Sequence, residues 1–263
     1  MATMTLRQHA LRILCLQEPD AKAVQARALF DGMRTIDIGS VDALTEPAQL
    51  PGRPARPRLV PPKDVPARSP FTLEGRAALL HAITHIEFNA INLALDACWR
   101  FAGMPHDFYR DWLRVACEEA LHFTLLRDHL RTLGFDYGDF DAHDGLWLMT
   151  QRTAGDIVAR MALVPRTLEA RGLDATPPIQ AKLRRAGDER AVAILDLILR
   201  DEIGHVAIGN RWYRWLCERD GHDPVPLYRQ LARRYDAPRL RPPVNEAARR
   251  AAGFTDEEIA WLG

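Results

Sequence analysis

The chain has 263 residues, of which 35 are basic and 35 are acidic, so its formal net charge near pH 7 is zero. A chain of this length can bury a sizeable core, and its charge balance does not demand a partner such as bulk nucleic acid. The opening residues carry charges inside a short apolar stretch, which is unlike a signal peptide. The sequence contains no apolar run long enough to predict a membrane-spanning helix. Four cysteines are scattered singly, which favours reduced thiols and a cytoplasmic location over a disulfide framework.

Residues 1–70 are the first predicted region, an N-terminal arm. Apolar residues recur at helical spacing over 5–34 and predict one or two short helices, split near Pro19. Residues 45–70 are crowded with proline and arginine, which excludes a regular helix and predicts an extended connector. The connector either packs across the surface of the fold or is a disordered linker.

Residues 71–221 form the second region and carry the apolar spacing of long helices. The expected bounds of four long helices are about 73–101, 105–133, 146–171 and 188–219. In the first of them the predicted apolar stripe consists of Leu79, Leu80, Ile83, Ile86, Ala90, Ile91, Ala94 and Leu95. No stretch longer than a few residues alternates with period two, so we expect an all-α fold built on a four-helix bundle.

The ends of these helices are indicated by proline and glycine. Pro105 suits a first helical turn, and Gly134 is expected to end the second helix. Pro165 should bend the third helix, because it deletes one backbone hydrogen bond and crowds the preceding turn. Gly172 is expected to close the third helix, and a separate short helix is expected over 178–186.

Residues 222–263 are the third predicted region, a C-terminal helical tail. Between positions 227 and 250 it carries seven arginines against Asp236 and Glu246. This local excess could contact RNA phosphate or an acidic partner. We favour the other interpretation, a charged pair of helices packed on the bundle, because three acidic residues follow at 256–258.

Two Glu-x-x-His motifs lie inside the second and fourth long helices. The helix before each motif carries one lone glutamate with apolar neighbours at helical spacing. The six candidate metal ligands are Glu87, Glu119, His122, Glu169, Glu202 and His205. Since residues three apart lie on one side of a helix, each motif can present a carboxylate and an imidazole to one ion.

The phase of the four glutamates matches the apolar stripes, so all four carboxylates should point into the core. Burying ionised carboxylates without compensation costs several kcal/mol or more, and no lysine or arginine shares their inward phase. Two divalent or trivalent ions, with one or two glutamates bridging them, satisfy both the charge and the spacing. Oxygen and imidazole ligands without thiolates suit iron or manganese, so two iron ions are expected and manganese is the alternative.

The simpler interpretation of one Glu-x-x-His motif is a solvated surface pair. Two such motifs in register with apolar stripes, each with a core-facing glutamate on the preceding helix, favour metal binding instead. His81 and His85 are turned away from Glu87 on the same helix, so they are predicted to be interfacial histidines with satisfied hydrogen bonds. Asp201 and Glu118 directly precede the motif glutamates. Each either accepts the free ring proton of the histidine in the opposite motif, which would fix the tautomer of that histidine, or is a solvated carboxylate beside a buried one.

The stretch from about His85 to Trp212 carries HIEFNAINLALDACWRF, DWLRVACEEALHFTLL and DEIGHVAIGNRW. It resembles a bacterial family of ferritin-like proteins of unassigned function, and its six ligands match the established pattern of di-iron carboxylate bundles. More distantly, the ligand pattern is similar to that of tRNA-hydroxylating di-iron monooxygenases. The resemblance implies a ferritin-like fold and brings no proven reaction, so function must be argued from the site.

The expected function is therefore an oxidoreductase that activates dioxygen or peroxide at a dinuclear metal centre to oxidise an unidentified substrate. An electron-donor protein would be a natural partner, and any oligomer is expected to be small. One alternative is an iron-binding or detoxification protein without an organic substrate. Another is a metal-free helical interaction protein that retains the bundle.

Overall fold

The computed structural model describes residues 3–39, 41, 43–238 and 243–262. Within these ranges the chain is all-helical, as predicted, and its one β-contact is an isolated bridge between Leu59 and Ala142. No helix in the described ranges is both long and apolar enough to cross a membrane. The chain divides into two units, Met1–Trp147 and Leu148–Gly263, which are described in turn.

The first unit is built on four helices that begin close to where their sequence patterns begin. They are α1 (Leu6–Leu14), α2 (Pro19–Gly32), α3 (Leu73–Arg100) and α4 (His106–Thr132). The predicted split at Pro19 is confirmed, because this proline opens α2 and the Glu18 side chain caps it by accepting a hydrogen bond from Ala21 N at 2.6 Å. Gly134, with φ of 85°, follows the last turn of α4.

Helices α3 and α4 pack along each other, while α1 packs on α3 and α2 packs on α4. The apolar stripe of α3 faces this core at most of its predicted positions. Ile86 is the exception, since its side chain is 41% exposed. It lies about 100° around the helix from Glu87, at the edge of the stripe, where a neighbouring helix does not cover it.

The proline-rich connector packs on the first unit, which confirms the first of its two predicted alternatives for the described residues. Gly52 N donates to Leu14 O at 2.9 Å, and Val60 N donates to Ala142 O at 2.8 Å. A Cβ on Gly52 would lie 2.1 Å from the carbonyl oxygen of Cys15, so only glycine permits this approach of two backbones.

The second unit departs from the predicted single helix over 146–171. Helix α5 (Gly145–Arg152) spans the junction of the two units and ends before a turn. Asp156 then caps α6 (Ile157–Leu163) by accepting a hydrogen bond from Ala159 N at 2.9 Å. A π-helical segment follows over Val164–Glu169, so the bend predicted at Pro165 takes the form of a wider helical turn.

The predicted end at Gly172 and the separate helix over 178–186 were wrong. Helix α7 (Ala170–Arg185) runs through Gly172 and contains both Pro177 and Pro178. Pro177 cannot donate to the carbonyl of Leu173, but the Asn245 side chain donates to that oxygen at 3.2 Å. The buried face of α7, formed by Ala170, Leu173, Thr176, Gln180 and Leu183, supplies the packing that keeps the helix continuous.

Helix α8 (Glu189–Asp220) has the predicted extent and is capped by the side chain of Asp188. Gly221, with φ of 71°, ends it. The described tail forms α9 (Pro224–Arg234), α10 (Glu246–Ala251) and α11 (Asp256–Leu262). A cluster of apolar residues from α7, α8 and the tail forms the core here; its fully buried members are Ala170, Leu173, Val206 and Ala252.

Arginines of the tail are largely engaged within the second unit. Arg249 is fully buried and donates to Asp174 at 2.6 Å, and Arg250 donates to Asp256 at 2.6 Å. The Asp174 contact holds the described tail against α7, and the favoured interpretation, a charged pair of helices packed on the bundle, stays a prediction. Arg239 and Arg241 lie outside the described residues.

Candidate metal centre

Three of the six predicted ligands, Glu87, Glu119 and His122, come together in the first unit and are called the first half-site. Glu119 and His122 are one turn apart on α4, and α3 brings Glu87 against them. His122 Nδ1 lies 3.2 Å from Glu87 Oε2 and 3.3 Å from Glu119 Oε2. One ligand atom from each of the three residues lies within 4.8 Å of the others. A single ion could therefore contact all three.

The first half-site concentrates acidic groups in a buried place. Glu119 and His122 are fully buried, and Glu87 is only 4% exposed. Burial and the neighbouring Glu119 carboxylate raise the pKa of Glu87 to about 8, although the His122 imidazole acts in the opposite direction. The protein side chains around Glu87 therefore do not by themselves stabilise its ionised form. A cation bound between the carboxylates would do so.

The second half-site consists of Glu169, Glu202 and His205 in the second unit. Glu202 and His205 are one turn apart on α8, with 3.6 Å between His205 Nδ1 and Glu202 Oε1. Glu169 ends the π-helical segment, which packs against α8. All three side chains are buried. Glu202 Oε2 has no hydrogen-bond partner among the described residues, so this oxygen is available to a metal ion.

The π-helical segment determines the rotational position of Glu169. Pro165 has no N–H to donate, and the Thr167 hydroxyl donates to Ala162 O at 2.8 Å across the widened turn. Gly209 of α8 lies against Pro165: a Cβ at this glycine would come within 2.6 Å of the proline Cβ. The absence of a side chain at Gly209 thus permits the close approach of the two elements that carry the second half-site.

Arg166 anchors the same segment and was not singled out by the sequence. It is 3% exposed, donates to Asn210 Oδ1 at 2.5 Å, and donates to Glu258 Oε1 at 2.6 Å. The Asn210 contact joins the segment to α8, and the Glu258 contact joins it to α11. An arginine next to a proline gave no signal in the sequence, because its buried partner lies 92 residues away.

The two predicted supporting carboxylates each contact an arginine of their own helix. Asp201 accepts a hydrogen bond from Arg200 Nε at 3.0 Å. Glu118 accepts one from Arg114 Nε at 2.9 Å. Support of the ligand histidines by these carboxylates therefore stays a prediction.

His85 has the satisfied hydrogen bonds predicted for an interfacial histidine, whereas His81 has them only in part, because its buried Nδ1 has no hydrogen-bond partner among the described residues. His81 Nε2 accepts a hydrogen bond from Gly138 N at 2.9 Å, and His85 Nδ1 lies 2.9 Å from the hydroxyl oxygen of Tyr137. Sequence reasoning missed the buried Lys22. Its signal was available, because Lys22 shares the helical phase of Ala23, Ala26 and Leu29 on the buried side of α2.

The donor set fits the metal ions that the sequence suggested. Each half-site offers two carboxylates and one imidazole, and none offers a thiolate. Hard carboxylate oxygens with imidazole nitrogen suit iron or manganese better than ions that prefer sulfur. The buried oxygen of Glu202 and the acidic pair in the first half-site are the structural features that a cation would satisfy.

Comparison with known proteins gives a family but no reaction. A family model described as protein of unknown function (DUF455) matches residues 15–260. A protein of Haemophilus influenzae strain Rd, described as an uncharacterized protein, is 56% identical over 255 residues, which cover 93% of this chain and 88% of that protein. No solved structure matches the chain. The function must therefore be inferred from the residues.

Proposed function

The chain belongs to the DUF455 family, and we propose that it is a ferritin-like dinuclear metal oxidoreductase. In this proposal two iron ions are held by Glu87, Glu119, His122, Glu169, Glu202 and His205, and manganese is the alternative metal. The observation that carries it is the occurrence of two half-sites with the same composition, each a lone glutamate and a Glu-x-x-His motif, in which all six side chains are buried.

The energetic argument rests on charge. Ionised carboxylates lose several kcal/mol of hydration when they are buried, and each half-site buries two of them. In the first half-site burial and the neighbouring Glu119 carboxylate raise the pKa of Glu87 to about 8, and the His122 imidazole offsets only part of this rise. Two multivalent cations supply the missing positive charge and use the imidazoles as neutral ligands.

When bound, two ferrous ions would supply the two electrons that dioxygen needs beyond the two taken from an organic substrate, and an electron-donor protein would restore the ferrous state; peroxide needs no electrons beyond those of the substrate. The chain's own contribution is to orient the ligands on rigid helices and to keep bulk water away from them. The ferritin-like four-helix bundle belongs to this proposal, since helices α3, α4 and α8 and the segment that ends at Glu169 carry the ligands.

The first test is anaerobic reconstitution of the metal-free full-length chain with ferrous iron, followed by elemental analysis. We expect two ions per chain. Glu87→Gln and Glu202→Gln should each lower this number, whereas Glu74→Gln in α3 and Glu218→Gln in α8, both exposed, should leave it unchanged. One ion per chain in the wild type would contradict a dinuclear centre, and none would favour a metal-free interaction protein.

The second test separates an oxidoreductase from iron storage. The reconstituted chain is exposed to oxygen while its absorption spectrum is recorded, and its particle size is measured in parallel. A monomer or small oligomer whose iron is oxidised without accumulating beyond two ions per chain supports the proposal. A large cage that takes up many ions per chain would instead identify a storage protein.

A further inference from the structure

Helix α3 has a second buried face, on the side away from Glu87. His85, Asn89 and Asn92 lie about 140–200° around the helix from Glu87. All three are buried, at 4%, 2% and 0% exposure. This polar face is therefore separate from the ligands of the first half-site, and the chemistry of metal binding does not explain it.

Lys22 of α2 is fully buried against this polar face. Its Nζ donates to Asn92 Oδ1 at 2.6 Å and to Gly52 O at 2.7 Å, and lies 4.9 Å from the centroid of the Phe88 ring. No carboxylate among the described residues forms an ion pair with it. A buried ammonium without a counter-charge is costly, so it must either lose its proton or be matched by an anion.

Three polar atoms of Arg53, Asn89 and Asn92 are buried and have no hydrogen-bond partner among the described residues. Two of them, Asn92 Nδ2 and Arg53 Nη1, are donors, and the third, Asn89 Oδ1, is an acceptor. Arg53 follows Gly52, which accepts from Lys22, and its other Nη atom donates to Asp144 Oδ1 at 2.6 Å. The Asp144 carboxylate neutralises the Arg53 guanidinium, so the Lys22 ammonium remains without a counter-charge.

Two hydrogen bonds and the charge of Arg53 connect these groups. Asn92 contacts Lys22 directly, and Asn89 Nδ2 lies 3.0 Å from the His85 ring. Burial lowers the pKa of Lys22 to about 7 and that of His85 to about 3, and the positive charge of Arg53 is the second cause in both cases. The guanidinium therefore lies within electrostatic range of both side chains.

We propose that Lys22, Arg53, Asn89 and Asn92 form a binding site for a small oxyanion that carries a proton, such as hydrogen phosphate or bicarbonate. The anion would match the charge of Lys22, accept hydrogen bonds from Arg53 and Asn92, and donate its own proton to Asn89 Oδ1. Sulfate has a similar size and charge but lacks this proton near pH 7, so it would leave the acceptor unsatisfied.

A surface pocket of about 540 Å³ is lined by neighbours of these residues and not by the four residues themselves. Its lining includes Tyr137, which is bonded to His85, and Pro54, which follows Arg53.

The site is tested by isothermal titration calorimetry on the metal-free full-length chain, at constant ionic strength, with phosphate, bicarbonate, sulfate and chloride as separate titrants. We expect phosphate or bicarbonate to bind at least tenfold more tightly than sulfate and chloride. The titrant that binds more tightly identifies which oxyanion the site accepts. Equal binding of all four anions to the wild type would overturn the proposal.

Variants locate the site. Lys22→Met should weaken binding of the preferred oxyanion at least tenfold, and Lys182→Met, which removes an exposed lysine of α7, should not change it. Asn89→Leu should abolish the preference over sulfate. If Lys22→Met and the wild type bind phosphate and bicarbonate equally, water fills the polar face and the proposal is wrong. The wild-type selectivity decides the question even if a variant fails to fold.

Discussion

Gly209 offers a sharp test of how the second half-site is positioned. A Cβ at this position would lie 2.6 Å from Cβ and 2.7 Å from Cγ of Pro165. The proline ring cannot rotate away, because it is closed onto its own backbone. Gly209→Ala must therefore push the π-helical segment away from α8 and displace Glu169 at the end of that segment.

Gly204 is the matched control. It lies five residues earlier in α8, and a Cβ added to it would have no atom of another residue within 4 Å. Replacing glycine by alanine inside a helix stabilises a protein by about 0.5–1 kcal/mol. This gain is common to both variants. Overpacking at position 209 costs about 1–3 kcal/mol in addition. The free energy of unfolding of Gly209→Ala should therefore be lower than that of Gly204→Ala by about 1–3 kcal/mol.

The assay is urea unfolding of the two metal-free variants and the wild type, followed by titration with ferrous iron under anaerobic conditions. We expect Gly204→Ala to be at least as stable as the wild type, and Gly209→Ala to be less stable than Gly204→Ala. Gly209→Ala should also bind iron more weakly than the wild type, because Glu169 has moved. If both alanine variants unfold at the same urea concentration, the close approach of Pro165 and α8 is wrong.

Three further predictions concern the buried charges. His205→Ala should weaken metal binding at least tenfold, while His222→Ala, just beyond the end of α8, should not change it; equal affinities in a metal titration would remove His205 from the ligands. Glu169→Gln should raise the melting temperature of the metal-free chain, because a buried carboxylate becomes a neutral amide, and should reduce the further rise that metal produces. Equal metal-induced rises in wild type and variant would show that Glu169 is not a ligand. For Lys22, burial lowers the pKa in the folded chain to about 7 from the ordinary lysine value of 10.5, so the unfolded chain binds more protons between these two values. Without oxyanion, the free energy of unfolding of the wild type, minus that of Lys22→Met, should rise by up to about 1.4 kcal/mol per pH unit from pH 7 upward. Urea unfolding at pH 7 to 9.5 measures this difference, and a difference that does not change with pH would refute the prediction.

The sequence predicted the long helices best where their apolar spacing and their ends agree. Helix α8 runs from its Asp188 cap to Gly221, and α4 ends just before Gly134. The prediction from sequence failed where a proline or a glycine alone was taken to mark the end of a helix. Pro177 is tolerated inside α7 because a side chain 72 residues away reaches the open carbonyl of Leu173. A contact between residues so far apart in the chain gives no local signal in the sequence.

The candidate ligands were predictable for a related reason. A glutamate at the centre of an apolar stripe is a local feature, so helix phase alone predicted the burial of the four glutamates, which the structure confirms. The distances within the first half-site depend on how α3 packs on α4, and the position of Glu169 depends on the π-helical turn. Pro165 predicted a bend at this place. That the bend is a π-helical turn depends on the close approach of Gly209 in α8.

Helix α3 joins the two proposals because it is buried on opposite sides. On one side Glu87 belongs to the acidic first half-site, where a positive charge is needed to balance the buried carboxylates. On the other side Asn89 and Asn92 face Lys22, where the missing charge is negative. A metal ion and an oxyanion would thus stabilise the same helix independently of each other. Their stabilising effects should add if the two sites do not share partners, since additivity is the rule for separate sites. Melting temperatures measured with iron alone, phosphate alone and both together would reveal any dependence: phosphate that stabilises the chain only when iron is present is bound at the metal, and the polar face of α3 would then hold no oxyanion.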